Sequence, residues 1–426
     1  MDETTFQTAF PRTMAVISQG IERGLHTGCQ VYISVHGRIL ADCGIGMSRS
    51  GVSMSSDTIN LWLSSGKPLT AVAILQAWEQ GELRLDDRVT QFLPAFGQNG
   101  KEAVTIRHLL NHTGGFRNVE TGWPEASWNE IIERINSAPL EADWVVGRTA
   151  GYHTASSWFV LGEILQQIDQ RPYSELLRDR LLSPLGMNDT WAAMPPDRHA
   201  AYGDRIGGMF SREQSELVPL DWTSADRSAV VSPGGNIRGP IRELGFFYEM
   251  LLNEGAGPTG RVLTPQTVAA MTARHRVGEY DQTLGHVIDF GLGVIIDSNR
   301  YGAATVPYGY GAKCSPRAFG HGGAQSSQGW CDPETGMVVA YYFNGRAGEG
   351  QHARHGEADR QQRQMQPAAE KEQRAQHSLF LLTVPRPGGA AAAGRAVLGR
   401  GGGWMVQHHG AGPDRAAAHE GGVRRC

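Results

Sequence analysis

The sequence predicts an α/β (α+β) protein of two domains, with one sheet built from distant segments and an all-helical domain inserted between them. Strand-like runs at 30–35 and 38–42 are joined by His36-Gly37, a two-residue hairpin signal. A second set of strand signals appears only after about residue 219, ending at 337–343. Between 64 and 185 the apolar residues instead recur with the period of a helix. A single sheet interrupted by a helical insertion accounts for this order economically.

The individual elements follow from the same periodicities. An amphipathic helix is predicted over 5–24, with Phe10-Pro11 as an irregularity near its start. The remaining predicted helices are 68–80, 104–110, 128–135, 156–167, 173–182, 241–252 and 265–274, and the late strands are 290–296 and 337–343. We therefore expect a sheet domain from 1–58 and 220–346 and a helical domain from 59–219.

The segment 347–426 differs from the rest of the chain. It is rich in Gln, Arg, His, Ala and Gly and shows little periodicity. One interpretation is a disordered tail. A second is out-of-frame translation, because arginine greatly exceeds lysine and shifted frames of GC-rich DNA encode Arg, Ala, Gly and Pro. The gene sequence would separate the two.

Composition narrows the possible partners and location. The 426 residues carry a net charge of −4, which argues against nucleic acid or an anionic membrane as a partner. The N-terminus does not resemble a signal peptide, and no apolar run approaches membrane-spanning length. The five cysteines are scattered without metal-ligand spacing. We expect a cytoplasmic protein with no metal or cofactor, of unknown oligomeric state, although a leader outside this sequence is an alternative.

The most informative motif is Ser64-Ser65-Gly66-Lys67, at the start of a predicted helix. Residues three apart share one helix face, so the Ser64 hydroxyl and the Lys67 amine can meet, whereas Ser65 is not on that face. An amine in this position can take the hydroxyl proton and create a nucleophile. Only four lysines occur in the chain, and this one lies in an apolar setting. Alone, the motif equally fits a helix start with an incidental lysine.

Three later segments could complete a site. The predicted helix over 104–110 ends at His112-Thr113-Gly114-Gly115. We interpret His112 as a hydrogen-bonded loop residue rather than as a catalyst. Tyr152 precedes a helix and could be a packed aromatic or a proton relay for the lysine. His321-Gly322-Gly323 lies in a strand signal, where glycines indicate a bulge or the close approach of another backbone.

Together these motifs resemble the serine β-lactamase and penicillin-binding-protein superfamily, within its class C β-lactamase-related branch that includes family VIII carboxylesterases. Ser64-x-x-Lys67, Tyr152 and His321-Gly322-Gly323 occur in the family's order. The segments at 112–115 and 232–236 match two further stretches. The resemblance covers about residues 8–346. It implies a serine β-lactamase-like fold, with an antiparallel sheet flanked by helices.

The resemblance also implies roles for single residues. Ser64 would be the acylated nucleophile, and Lys67 and Tyr152 would share the proton transfers, without deciding which is the base. The backbone N–H groups of Ser64 and Ala324 would form the oxyanion hole. The segment from His321 to Gly323, together with Thr154, would contact the substrate.

Two departures from the family pattern favour an esterase. Thr154 stands where the second motif usually has asparagine, so no side-chain amide is present to meet a β-lactam amide. His321 replaces the lysine of the K-T-G motif, which should weaken recognition of a substrate carboxylate. The sequence contains no G-x-S-x-G motif, which argues against an ordinary α/β-hydrolase. The expected activity is hydrolysis of small carboxylic esters through an acyl-serine, with weak β-lactam hydrolysis as a side activity.

Other functions remain open at this stage. The same residues would serve a β-lactamase, a D-aminopeptidase, a DD-peptidase or an acyltransferase, each with a small ester or amide substrate. A catalytically inactive binding homologue is the non-enzymatic alternative. Four aromatic residues are candidate pocket walls, although a core position is the commoner outcome for each of them: Trp62, Phe116, Trp123 and Trp158.

Overall fold

The computed structural model describes residues 1–214, 216–302 and 309–346. The helices in these residues are α1 (Glu3–Ala9), α2 (Pro11–Glu22), α3 (Lys67–Glu79), α4 (Ile106–Leu110), α5 (Trp128–Ser137), α6 (Ser156–Asp169), α7 (Tyr173–Leu177), α8 (Pro196–Tyr202), α9 (Ala225–Ala229), α10 (Ile241–Leu252) and α11 (Pro265–Thr272). The strands are β1 (Gly28–Val35), β2 (Arg38–Arg49), β3 (Val52–Ser53), β4 (Asn60–Leu61), β5 (Phe210–Glu213), β6 (Glu216–Pro219), β7 (Arg238–Gly239), β8 (Ala256–Gly257), β9 (Gly260–Arg261), β10 (Tyr280–Asp281), β11 (His286–Val287), β12 (Ile295–Ile296), β13 (Phe319–Gly323), β14 (Ser327–Asp332), β15 (Met337–Phe343) and β16 (Gly345–Arg346).

The main sheet has seven strands in the order β12-β13-β14-β15-β1-β2-β3. Every neighbouring pair is antiparallel. In the centre of the sheet β1 pairs with β15, so that Cys29 lies opposite Phe343 and Val35 lies opposite Met337. The prediction of one antiparallel sheet built from two distant parts of the chain is therefore confirmed.

The N-terminal hairpin forms as its turn residues predict. His36 and Gly37 have φ values of 50° and 73°, the left-handed backbone that a tight two-residue turn requires. The predicted helix over 5–24 is two helices, because Pro11 cannot donate the hydrogen bond that would continue α1 and instead occupies the first position of α2.

Helices cover both faces of the sheet. On one face α1 and α2 bury Phe6 and Ile17 against a cluster that includes Val31 and Tyr341. On the other face α10 packs so closely on β1 that a Cβ at Gly245 would lie 2.3 Å from the Tyr32 ring. Helix α3 is buried from its first residue through Ala77, and its apolar side chains belong to the larger apolar core.

Two late strands of the main sheet differ from the sequence expectation. The strand predicted over 290–296 is reduced to β12, because the chain turns at Gly293 (φ 77°), whose N–H donates to the Leu110 carbonyl group. Strand β14 was not predicted, because it contains no β-branched residue and has Gly329 near its centre.

The proposed boundaries at residues 58/59 and 219/220 remain a prediction. Residues 347–426 lie outside the described residues, so neither interpretation of that segment is tested. None of the helices in the described part of the chain combines the length and apolar character that a membrane crossing requires.

Candidate active site

The predicted nucleophile lies in a strained turn at the entrance of the buried helix α3. A 3-10 turn from Leu63 to Gly66 leads directly into α3, and Ser64 is only partly buried. Leu63 has a φ of 52°, a left-handed conformation that costs a branched residue roughly 1–2 kcal/mol. The preceding Trp62 is held by its backbone N–H, which donates to the Ile237 carbonyl group over 2.9 Å. These contacts keep the Ser64 hydroxyl at the surface of an otherwise buried segment.

Lys67 lies directly behind Ser64. Its Nζ is 3.0 Å from Ser64 Oγ, as the three-residue spacing predicts. The same nitrogen donates to the carbonyl oxygen of Thr154 over 2.8 Å and to that of Gly234. Gly234 makes this approach possible, since a Cβ there would lie 3.1 Å from Nζ. Two backbone carbonyl groups and one hydroxyl thus surround the amine.

The electrostatic setting of Lys67 favours a neutral amine. The side chain is fully buried, and this burial lowers its pKa well below the ordinary value for lysine. No carboxylate among the described residues forms an ion pair with it. A neutral amine has two N–H groups, which the two carbonyl oxygens accept. Its lone pair is then left facing Ser64 Oγ, which is the geometry of a general base.

Tyr152 lies beside this pair. Lys67 Nζ is 5.3 Å from the centroid of the Tyr152 ring, and the ring is buried. The Tyr152 backbone N–H donates to Asp281 Oδ1 over 3.0 Å. Its ring packs against His112, with ring centroids 4.6 Å apart, and against His321 at 5.8 Å. The structure therefore brings together the three residues predicted to be catalytic.

His112 and His153 are buried and support the loops around Tyr152. His112 Nδ1 accepts the backbone N–H of His153 over 3.0 Å, which leaves the hydrogen of a neutral His112 on Nε2. His153 is bonded on both sides, because its Nδ1–H donates to Gly151 and its Nε2 accepts from Phe116. Burial lowers the pKa of His153 to about 3 and that of His112 well below its ordinary value. Both rings are neutral at pH 7. His112 is a hydrogen-bonded loop residue, as the sequence indicates, and its ring also packs against Tyr152.

The predicted His321-Gly322-Gly323 segment forms the end of β13 beside the nucleophile. Strand β12 pairs only with Phe319 and Gly320, so the segment extends past it. The imidazole of His321 donates from Nδ1 to the Gly322 carbonyl oxygen over 2.7 Å. Burial lowers the pKa of His321 to about 3. This position therefore carries no positive charge at neutral pH.

The remaining predicted residues occupy different environments. Ala324 directly follows β13, and its oxyanion role with Ser64 stays a prediction. The Thr154 side chain is exposed next to the carbonyl group that binds Lys67. Three of the four candidate wall aromatics are core residues, and only Trp123 is partly exposed, with its indole N–H donating to the Val231 carbonyl oxygen. The core residues among the four are Trp62, Phe116 and Trp158.

Sequence reasoning missed a buried ion pair that supports Tyr152. Asp281 Oδ1 accepts the backbone N–H of Tyr152, while Oδ2 accepts from Arg276 Nη2 over 2.9 Å. Arg276 also donates to the carbonyl oxygen of Asn111, the neighbour of His112. Both charged side chains are almost completely buried. A contact between a side chain and a distant backbone N–H leaves no motif, so no sequence signal pointed to Asp281.

No group of three histidine, cysteine or acidic side chains converges as a metal site would require, within the part of the chain that the structure describes. The chemistry available from the assembled residues is that of a serine activated by a buried lysine.

Comparison with known proteins agrees with this geometry. The family model described as Beta-lactamase matches residues 14–364. Penicillin-binding protein 4 of Amycolatopsis lactamdurans is 27% identical, covering 70% of this chain and 74% of the relative. Esterase EstB of Burkholderia gladioli is also 27% identical, covering 73% of this chain and 85% of the relative.

A crystal structure of a penicillin-binding protein homologue from Caulobacter crescentus superposes with a TM-score of 0.65 at 26% identity, covering 79% of this chain and 91% of that one. The family model spans most of the chain, and relatives and fold agree with it. The chain therefore belongs to the beta-lactamase family, within the serine β-lactamase and penicillin-binding-protein superfamily.

Proposed function

We propose that this protein is a serine hydrolase that cleaves small carboxylic esters through an acyl-serine intermediate. The observation that carries the proposal is the arrangement of Lys67, whose two carbonyl partners and complete burial direct a neutral amine at Ser64. The comparisons support a serine hydrolase of this superfamily. The preference for esters rests on the groups that surround the nucleophile.

Acylation begins when Ser64 Oγ attacks the ester carbonyl carbon and its proton passes to Lys67 Nζ. The carbonyl oxygen becomes an oxyanion, which the backbone N–H groups of Ser64 and Ala324 stabilise. When the intermediate collapses, the bond to the alcohol breaks and the alkoxide leaves with a proton. Tyr152, which lies beside the lysine, relays that proton from Nζ and is reprotonated in turn. The products are free alcohol and an ester of Ser64.

Deacylation uses the same groups in the reverse direction. A water molecule gives its proton to the relay of Lys67 and Tyr152 and attacks the acyl carbon. The second tetrahedral intermediate returns the proton to Ser64 Oγ as the acid product leaves. No charge accumulates on the enzyme over the full cycle.

The basic side chains near the site are neutral or paired with carboxylates, which favours a neutral ester over a substrate with a free carboxylate. His321 is neutral because burial holds its pKa at about 3. Arg276 is paired with Asp281, and Arg117 with Glu141 over 2.8 Å. None of these three side chains offers an unpaired cation to the carboxylate of a β-lactam or peptide. We therefore expect ester hydrolysis to exceed nitrocefin hydrolysis, with weak β-lactam turnover as a side activity.

Replacement of the nucleophile tests the proposal. Ser64→Ala should abolish hydrolysis of p-nitrophenyl butyrate, and a fluorophosphonate probe should label Ser64 in the unaltered protein. Ser183→Ala removes an exposed serine and serves as the matched control that keeps full activity. Parallel rates on p-nitrophenyl butyrate, D-alanine p-nitroanilide and nitrocefin rank the substrate classes. Undiminished turnover by Ser64→Ala, or labelling of another serine, would refute the assignment.

The pH dependence tests the role of Lys67. Only the neutral amine can accept the Ser64 proton, so kcat/KM should rise as pH increases through the lysine pKa. Because burial lowers that pKa well below its ordinary value, the rise should be complete at a pH where a lysine in water is still charged. A kcat/KM that keeps increasing up to pH 10 would contradict a depressed lysine pKa.

A further inference from the structure

Two buried serine hydroxyl groups join the nucleophile turn to the strand beside it. Ser65 Oγ donates to the carbonyl oxygen of His321 over 3.2 Å. Ser327 Oγ faces both the carbonyl oxygen of Trp62 and Ser65 Oγ, the latter at 2.9 Å, and its single hydrogen is donated to one of these two oxygens. Both serines are fully buried. The turn at 62–65 and the antiparallel pair β13–β14 are therefore linked by one continuous set of hydroxyl contacts.

The backbones approach too closely at this point for a larger residue. A Cβ at Gly323 would lie 2.3 Å from the Trp62 carbonyl oxygen, 2.4 Å from Ser327 Oγ and 3.1 Å from Leu63 Cβ. Gly323 lies opposite Ser327 in the β13–β14 pairing. The turn on the other side is itself constrained, since Leu63 has a left-handed backbone. The spacing between turn and strand is thus determined by tight contacts on both sides.

The linked residues are the direct neighbours of the two groups expected to bind the oxyanion. Ser64 precedes Ser65 in the turn, and Ala324 follows Gly323 at the end of β13. We propose that the Ser65–Ser327 hydroxyl pair sets the separation of the Ser64 and Ala324 N–H groups, which makes both serines positioning residues for transition-state stabilisation. This inference rests on the proposed function, because it presupposes an acyl-transfer oxyanion at this site.

The proposed role differs from a general contribution to folding. Two N–H donors stabilise an oxyanion strongly only when both point at the position where its charge develops. Removal of one hydroxyl would let the turn and the strand move apart, while the surfaces that bind the neutral substrate stay in place. Such a change should reduce kcat and leave KM nearly unaltered, since the ground state makes little use of the two N–H groups.

The experiment compares Ser65→Ala, Ser327→Ala and the double variant with the unaltered protein. We expect each single variant to lower kcat for p-nitrophenyl butyrate by about ten- to a hundredfold, as sub-ångström to ångström misplacement of catalytic groups does. KM should change less than about threefold. Phenylboronic acid forms a tetrahedral adduct with the nucleophile, and its inhibition constant should increase by about the same factor as kcat decreases. The double variant should be little worse than either single variant, because both remove one shared contact.

Ser326→Ala is the matched control. Ser326 is equally buried and adjacent in sequence, but its hydroxyl donates to the Phe343 carbonyl oxygen, away from the nucleophile turn. It should match the other variants in thermal stability and retain kcat. Equal kcat losses in Ser326→Ala and Ser327→Ala, or an unchanged kcat in Ser65→Ala, would overturn the inference. Absence of Ser64-dependent turnover in the unaltered protein would instead reject the proposed function, so the two failures are distinguishable.

Discussion

Two adjacent glycines should respond very differently to the same added methyl group. At Gly234 a Cβ would lie 3.1 Å from Lys67 Nζ and 2.9 Å from Trp158 Cβ. At Gly235 the nearest atom would be Ser232 Oγ at 3.7 Å, an ordinary contact. Neither glycine has a left-handed φ, so an alanine is compatible with the backbone at both positions. Any difference between the two variants therefore reports the contacts of the added methyl group.

The size of the effect follows from these distances. Carbon and nitrogen atoms normally approach to about 3.5–4.0 Å, so Gly234→Ala must displace Nζ by roughly 0.4–0.9 Å. Displacement of a catalytic group by about 1 Å can cost a hundredfold in rate, and we expect a decrease in kcat of about ten- to a hundredfold. Overpacking against Trp158 should also lower the free energy of unfolding by roughly 1–3 kcal/mol. Gly235→Ala should be neutral or stabilising by up to about 1 kcal/mol, because it restricts the unfolded chain.

The assay measures kcat and KM on p-nitrophenyl butyrate together with thermal unfolding of both variants. For a protein of this size the predicted destabilisation of Gly234→Ala corresponds to a fall in Tm of about 1–4 °C. Rates are compared well below the lower Tm, so that both variants are folded. If Gly234→Ala keeps the original kcat, or if Gly235→Ala loses as much, the carbonyl group of Gly234 does not position the lysine in the way described.

Three further predictions concern the charged and titratable groups. First, the pKa values of His153 and His321, each about 3, lie below the ordinary value of 6.5, so the unfolded chain binds protons first as pH falls. The stability they contribute is present above about pH 6.5 and decreases below it, by about 4 kcal/mol at pH 5 for the two together, and a Tm that is constant from pH 7.5 to 5 would contradict this. Second, His321→Lys adds a cation, and the ratio of nitrocefin to ester hydrolysis should increase at least about tenfold through a charge-assisted hydrogen bond, whereas an unchanged ratio would exclude this position as the selectivity determinant. Third, Asp281→Asn leaves Arg276 buried without its ion-pair partner and should destabilise the protein by about 3–5 kcal/mol. Asp289→Asn removes a buried carboxylate whose partners Arg274 and Arg300 are partly exposed, so it should destabilise the protein by less. Only Asp281→Asn should lower kcat, because of these two carboxylates only Asp281 accepts the backbone N–H of Tyr152. Equal kcat losses in the two folded variants would show that this backbone contact is not used in catalysis.

The parts of the site that could be predicted are those encoded by local spacing. Ser64 and Lys67 are three residues apart, and helix geometry alone brings their side chains together. The third partner of the amine, the carbonyl oxygen of Gly234, lies 167 residues further along the chain. Every residue has a carbonyl group, so a hydrogen bond to one leaves no trace in the sequence. The same reasoning explains why the contact between Asp281 and Tyr152, 129 residues apart, was not foreseen.

The fold was predictable where one face of an element is exposed or where a turn has special residues. The hairpin at His36-Gly37 has such turn residues, and its strand β2 alternates between buried and partly exposed residues, so the hairpin forms at the predicted place. Strand β14 meets neither, because it is buried on both sides and contains Gln328 and Gly329. The run at 290–296 was misread since an apolar series looks the same in a strand and in a buried turn. Tertiary packing, which decides between the two, is not visible in a short window.

The order of strands in the sheet has a consequence for how activity arises during synthesis. Ser64, the proposed nucleophile, is made early in translation, but β13 and β14, which link to its turn, follow about 260 residues later. Strand β15 then inserts between β14 and β1 and joins the late strands to the first hairpin. When only the first 300 residues have left the ribosome, the nascent chain contains Ser64 and Lys67 but not yet β13, the strand beside them. The proposed hydrolytic activity therefore requires that the main sheet has formed, and such long-range pairing predicts slow folding.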